Sequence, residues 1–104
     1  MSYDIIISPP AEIDLIDIQD YYDDLVFGLG ERFLLKFQEV LSLLERHPQI
    51  YPIIEDEIRR ANMNNFPYTV FYSIEEFRNE VEILAVIHQS RNPIYWRTRI
   101  NLGE

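Results

Sequence analysis

The chain has 104 residues, of which 47% are hydrophobic, and its formal net charge is −9. This length fits a single domain with one sizeable core. The sequence has no cysteine, which excludes disulfides and thiolate metal sites, and none of its apolar runs approaches the roughly 20 residues of a membrane span. The opening Met1-Ser-Tyr-Asp has no basic stretch typical of a secretory signal, so we expect a cytoplasmic protein.

The first two predicted elements are a strand at residues 3–8 and a helix that begins at Pro9. Ser8 is a suitable N-cap, and a proline in the first turn costs no hydrogen bond. Apolar residues then recur at spacings of three and four, at Ala11, Leu15, Ile18, Tyr22 and Leu25. We expect this helix to end at Gly28-Leu29-Gly30.

A second helix is predicted at residues 31–47. Its apolar side comprises Phe33, Leu34, Phe37, Val40, Leu41 and Leu44, and Pro48 closes it. The short connection predicts two antiparallel helices.

Residues 48–56 hold two prolines and an acidic cluster, which predicts an irregular crossing. Strands are predicted at residues 58–63, 65–74 and 81–88, and the polar segment 75–79 joins the last two as a hairpin. The order β-α-α-β-β-β indicates an α+β fold, with the N-terminal strand and a helical hairpin packed on one face of a mainly antiparallel sheet. We expect the hairpin to expose a functional face opposite the helices.

The exit from the last strand brings together His88, Arg91, Tyr95 and Trp96. Guanidinium groups pair with phosphate, aromatic rings stack on bases, and a histidine can exchange protons near neutral pH. The pattern therefore favours a nucleic-acid or phosphate site.

Each of these residues also has a structural interpretation. Arg91 could form a salt bridge with an acid of the first helix, and His88 could be a histidine that bonds the end of the sheet. Trp96 is expected to close the core. Arg59 and Arg60 point to opposite faces of their strand, so only one can join the site, and the other is expected to be solvated.

The charge is divided unevenly along the chain. Residues 1–57 contain 13 acids and three bases, a net charge of −10, whereas residues 58–104 contain five acids and six bases, a net charge of +1. Nucleic-acid binding usually requires a basic surface, so the acidic half argues against a nuclease and the positive charge lies in the half with the candidate site.

Two segments resemble the RelE/ParE toxin superfamily. They are Phe66-Pro67-Tyr68-x-x-x-Tyr72 and Ile83-Leu84-Ala85-Val86-x-His88-x-x-Arg91-x-Pro93, with further matches at Ala11-x-x-Asp14-Leu15, Tyr21 and Arg60. The resemblance covers nearly the whole chain. It implies the toxin of a plasmid-stabilising type II toxin–antitoxin module, neutralised by a cognate antitoxin and directed at ribosome-bound mRNA or at DNA gyrase.

If the chain is an mRNA endonuclease, the resemblance and the residues together give the catalytic set Arg60, His88, Arg91 and Tyr95, with no metal and no cofactor. Where RNA-cleaving relatives carry basic residues, however, this sequence has Thr69 and Gln89. The alternative is therefore a non-catalytic, ParE-like gyrase inhibitor, or a detoxified relative that only binds its antitoxin. A homo-oligomer is left open, since no pattern specifies one.

Overall fold

The computed structural model describes residues 2–101, which form one mixed sheet with helices on both faces and so confirm the α+β class. The sheet order is β1-β5-β4-β3-β2. The strands are β1 (Asp4–Ile7), β2 (Ile53–Glu55), β3 (Ile58–Asn62), β4 (Tyr68–Glu75) and β5 (Glu80–His88). The helices are α1 (Pro9–Leu25), α2 (Leu29–Arg46) and α3 (Pro93–Asn101).

Helices α1 and α2 form the predicted antiparallel hairpin. As expected, the Ser8 hydroxyl caps α1, accepting from the Ala11 N–H at 3.4 Å. The helix ends at Leu25, earlier than predicted, and α2 begins at Leu29, because Gly28 adopts a φ of +85° and serves as the N-cap of α2. Gly30 lies inside α2 against α1, where an added Cβ would come within 2.5 Å of the Gln19 carbonyl oxygen.

Strands β3, β4 and β5 pair antiparallel, and β4 and β5 form the predicted hairpin. Strand β1 lies parallel to β5 and pairs with it only as far as Ile7 and Ile83. Among residues 2–101, therefore, no strand lies on that edge of the second half of β5, and α1 packs there instead. We call this part of the sheet the open edge of β5.

The crossing between the helices and the sheet is more ordered than predicted. It contains a 3₁₀ turn (Pro48–Ile50) and strand β2, which pairs with β3 through a two-residue turn. Asp56 and Glu57 in this turn both have positive φ, as a type I′ hairpin requires. Arg59 is not solvated as expected, because its guanidinium donates to the carbonyls of Gln49 and Tyr51.

The two faces of the sheet are both covered, although unequally. We call the face under α1 and α2 the inner face and the opposite one the outer face. The expectation of an exposed outer face is wrong over part of its area, because α3, which was not predicted, packs there. Trp96 of α3 is 7% exposed and stacks on Phe71 with ring centroids 5.1 Å apart, so its predicted core role is confirmed.

The inner face carries most of the core. Its buried side chains are Ala11, Ile18, Phe33, Phe37, Leu41, Leu44, Ala61, Met63, Phe66, Tyr68, Val70, Tyr72, Val81, Ile83 and Val86. Over residues 2–101, none of the helices combines the length and the apolar character that crossing a membrane requires.

Candidate functional site

A cavity of about 240 Å³ lies on the outer face, where β3, β4 and β5 meet the start of α3. We call it the outer cavity. Its lining residues are Arg60, Thr69, Phe71, Ile87, His88, Gln89, Arg91, Pro93 and Trp96. The strand order places β3 and β5 on either side of β4, which brings three of the four predicted site residues, Arg60, His88 and Arg91, to one cavity.

The two arginines of the outer cavity are both exposed. Arg60 extends from β3, whereas Arg91 lies in the turn after β5, where its N–H donates to the His88 carbonyl at 3.0 Å. The Arg91 guanidinium lies 4.5 Å from the centroid of the Tyr95 ring. Within residues 2–101 neither arginine forms an ion pair, so the salt bridge considered for Arg91 does not form there.

A second cavity, of about 170 Å³, lies on the other side of His88 and Arg91, at the open edge of β5. We call it the edge cavity. Its lining residues are Asp14, Asp17, Ile18, Tyr68, Val86, Ile87, His88, Arg91, Tyr95 and Arg99. Tyr95, the fourth predicted site residue, lines this cavity and not the outer one, so His88 and Arg91 are shared between a cavity with Arg60 and a cavity with Tyr95.

His88 is held by the turn that follows it. Its Nδ1 accepts from the Ser90 N–H at 3.1 Å and lies 2.8 Å from the Ser90 hydroxyl. Since a backbone N–H can only donate, we assign the neutral ring's proton to Nε2. With this assignment, neutral His88 is a donor through Nε2. Its Nδ1, the nitrogen that could accept a proton, is already hydrogen bonded to Ser90.

Thr69 and Gln89, at positions where the resemblance led us to expect cations in a nuclease, form hydrogen bonds within the fold. The Thr69 hydroxyl donates to the Asn62 side-chain oxygen at 2.6 Å. The Gln89 amide donates to the Tyr68 carbonyl at 3.1 Å and to the Met63 carbonyl at 3.5 Å. Both side chains therefore connect the end of β3 with the start of β4. The cationic or titratable residues that line the outer cavity are two arginines and one histidine.

Asp14 connects α1, β5 and α3 beside the site. This connection was not predicted from the sequence. One carboxylate oxygen accepts from the Val86 N–H on the open edge of β5 and from the Arg99 guanidinium of α3, each at 2.9 Å. The hydrogen bond that Arg99 donates to Asp14 raises the pKa of Arg99 above its ordinary value. The expected pairing of an arginine with an acid of α1 exists, but Arg99 provides it and Arg91 does not. The sequence signal for this contact was Asp14 in the match Ala11-x-x-Asp14-Leu15, which did not indicate its partners.

Two tyrosines of β4 have strongly shifted acidity. Burial raises the pKa of Tyr68 to about 12, and the nearby Tyr22 adds to the shift. Burial also raises the pKa of Tyr72 to about 12, and its hydroxyl donates to the Pro48 carbonyl at 2.7 Å. Both phenols are neutral at physiological pH and act as packing residues. Among residues 2–101, no three His, Cys, Asp or Glu side chains cluster closely enough to hold a metal ion.

The comparisons with known proteins agree with this fold. Residues 5–93 match a family model described as the ParE toxin of the type II toxin–antitoxin system parDE. A search among curated proteins finds no match to the sequence.

Several solved structures share the fold at low sequence identity. The chromosomal ParDE system of P. aeruginosa aligns with a TM-score of 0.73 at 16% identity, covering 84% of this chain and 96% of that one. A mutant of the E. coli toxin RelE in the free state aligns at 0.62 and 11% identity, covering 99% and 98%. The toxin–antitoxin complex RelBE2 of Mycobacterium tuberculosis aligns at 0.58 and 20% identity, covering 85% and 99%.

Proposed function

We propose that this chain, which belongs to the ParE toxin family of type II toxin–antitoxin systems, stops growth by binding its target without cleaving RNA, and that this target is DNA gyrase. The cognate partner is an antitoxin, since structural neighbours of the chain are toxin–antitoxin complexes. A binding toxin needs a stable surface, whereas a nuclease needs a base, an acid and a charge-stabilising group around one phosphate.

The observation that carries this proposal is that the polar residues lining the outer cavity are neutral or already hydrogen bonded, apart from its arginines. Thr69 and Gln89 are neutral and hydrogen bonded within the fold, and the acceptor nitrogen of His88 is taken by Ser90. Tyr95 lines the edge cavity, whose lining does not include Arg60. Among residues 2–101 the cavity thus holds guanidinium groups that can bind an anion, but no free base beside them. The net charge of −9 also opposes association with RNA.

One observation favours mRNA cleavage as a second candidate function. Arg60, His88 and Arg91 line the same cavity, and two guanidinium groups can stabilise the charge that develops on a phosphorane. In that mechanism a base would remove the proton of the ribose 2′-hydroxyl, and an acid would protonate the leaving 5′ oxygen. His88 could serve only if the Ser90 bond to its Nδ1 were released or its Nε2 proton were the one transferred.

The deciding experiment uses purified chain in two assays, supercoiling of relaxed plasmid DNA by gyrase and cleavage of mRNA on translating ribosomes. We expect inhibition of gyrase and intact mRNA. Arg91→Ala should reduce the inhibition at least about tenfold, because a lost charged contact at an interface typically costs that much. Arg78→Ala, at an exposed arginine in the turn at the far end of β4 and β5, is the matched control and should leave it unchanged.

Ribosome-dependent mRNA cleavage that Arg91→Ala abolishes, with gyrase unaffected, would replace this proposal by the second candidate. In growing cells the two functions separate in time. Gyrase inhibition should induce the DNA-damage response before translation falls, whereas mRNA cleavage should stop translation first.

A further inference from the structure

Two arginines contact the ring of Tyr95. The central guanidinium carbon of Arg91 is 4.5 Å from the ring centroid, and that of Arg99 is 5.9 Å from it. Arg91 precedes Tyr95 by four residues in the turn before α3, and Arg99 follows it by four residues on the same side of the helix. The face of a tyrosine ring attracts a nearby cation, so the ring restrains both guanidinium groups.

The two arginines differ in what else holds them. Arg99 donates to the Asp14 carboxylate at 2.9 Å, and the side chains of this pair are only 25% and 14% exposed. Asp14 is fixed in turn by a backbone N–H of β5, also at 2.9 Å. Arg91 is exposed and, within residues 2–101, forms no ion pair. The position of the Arg91 guanidinium therefore depends on the Tyr95 ring, whereas Arg99 is anchored by Asp14.

The charges of these residues explain what Asp14 contributes. Two guanidinium groups beside one ring repel each other, and the Asp14 carboxylate neutralises one of them. The pKa of Arg99 is raised first by its hydrogen bond to Asp14 and also by Tyr95, although burial opposes the shift, so this guanidinium stays charged and paired. Arg91, which lines both the outer and the edge cavity, is then the cation that can bind an anion of a target.

We propose that Asp14 and Arg99 are positioning residues for Arg91. They hold the Tyr95 ring, and this ring holds the Arg91 guanidinium at the border of the outer and edge cavities. An arginine that is already placed loses less rotamer freedom on binding than one that moves freely. The effect on inhibition rests on the proposed function, in which Arg91 contacts the target, whereas the position of the guanidinium can be measured without any target.

The position of Arg91 is tested by nuclear magnetic resonance of the arginine Nε–Hε groups, because the ring current of Tyr95 shifts the signal of a guanidinium beside it. The Arg91 signal is assigned by its absence from Arg91→Ala. We expect Tyr95→Leu and Asp14→Asn to move this signal towards that of the exposed Arg78. Tyr95→Phe keeps a ring and should leave the signal in place. Dispersed backbone amide signals in the same spectra show that each variant is folded.

Glu55→Gln is the matched control, because it breaks the other ion pair that holds α3, Arg97–Glu55 at 2.9 Å, which does not involve Tyr95. It should leave the Arg91 signal in place. In the gyrase assay, Asp14→Asn should weaken inhibition about two- to fivefold, which is the contribution expected of an exposed contact between a cation and a ring. Glu55→Gln should leave the inhibition unchanged.

An Arg91 signal that stays in place in Asp14→Asn or in Tyr95→Leu would overturn the proposal. A signal that moves equally in Glu55→Gln would do the same, because loosening of α3 would then explain the change. Inhibition of wild-type strength in Asp14→Asn would also overturn it. A wild-type chain that does not inhibit gyrase would refute the proposed function, and the Arg91 signal alone would then decide whether Asp14 positions Arg91.

Discussion

The inner and outer faces of the sheet differ in what holds them. On the inner face, large side chains such as Phe33, Phe37 and Leu44 are at most 2% exposed and belong to one continuous cluster. On the outer face, the buried cluster is small and depends on Trp96, and α3 is held in addition by the ion pairs Arg99–Asp14 and Arg97–Glu55. The face that stabilises the fold is therefore not the face that presents cations. Substitutions in the outer cavity should leave the inner core folded.

The largest expected effect tests this difference directly. Phe33→Ala removes a fully buried ring that contacts Tyr22, Phe66 and Tyr68, and should lower the free energy of unfolding by about 3–5 kcal/mol. Trp96→Ala should cost less, about 2–3 kcal/mol, because α3 can detach while the inner core persists. Urea unfolding measures both free energies, and hydrogen exchange should show α3 amides alone losing protection in Trp96→Ala. If Phe33→Ala and Trp96→Ala lower the free energy of global unfolding equally, the two faces form one cooperative unit.

A smaller effect is expected at Asp14, which links the two faces. Asp14→Ala leaves the Val86 N–H and the Arg99 guanidinium without their acceptor, and should cost about 2 kcal/mol. Glu39→Ala, which breaks the exposed pair with Lys36, is the control and should cost less than about 0.5 kcal/mol. The denaturant midpoint of each variant measures its loss of stability. If the two variants unfold alike, Asp14 does not couple α3 to the rest of the fold.

The smallest expected change in stability at neutral pH concerns Tyr72, which is buried in the inner face. Tyr72→Phe deletes the buried hydrogen bond to Pro48 and should cost about 1 kcal/mol. The folded pKa of about 12 exceeds the ordinary value of 10.0, so the unfolded chain ionises first. Stability is therefore complete below about pH 10 and falls as the pH rises towards about 12.

The variant should show a shallower fall, because among the tyrosines of residues 2–101 only Tyr68 then contributes a comparable shift. Unfolding at about pH 8 and about pH 11 measures the difference. A fall of the same steepness in both proteins would show that Tyr72 ionises as freely in the folded chain as in the unfolded one.

The sequence was sufficient for the elements whose pattern is local. The period of the apolar residues predicted α1 and α2, and the β-branched and aromatic runs predicted β3, β4 and β5 close to their observed bounds. The convergence of Arg60, His88 and Arg91 on one cavity follows from the same strands, because neighbouring strands align their ends. Whether these residues act as a catalytic set stays a prediction.

The elements that were missed depend on distant partners. Helix α3 has nine residues and a weak apolar period, and it is held by Phe71 and Asp14, which are far away in the sequence. Strand β2 has three residues after two prolines and forms because β3 pairs with it. Its two-residue turn contains no glycine, so the usual turn signal is missing. Such elements are fixed by tertiary contact rather than by propensity.

The position of β1 next to β5 also has a consequence for the newly synthesised toxin. The helical hairpin can form from neighbouring residues, but β1 finds its strand partner only when residues 80–83 have been made, and Asp14 meets Arg99 only 85 residues later. Contacts between residues so distant in sequence form late and slowly. A nascent chain that ends before α3 therefore lacks the wall of both cavities that α3 supplies, and the complete surface can form only after α3 has been synthesised.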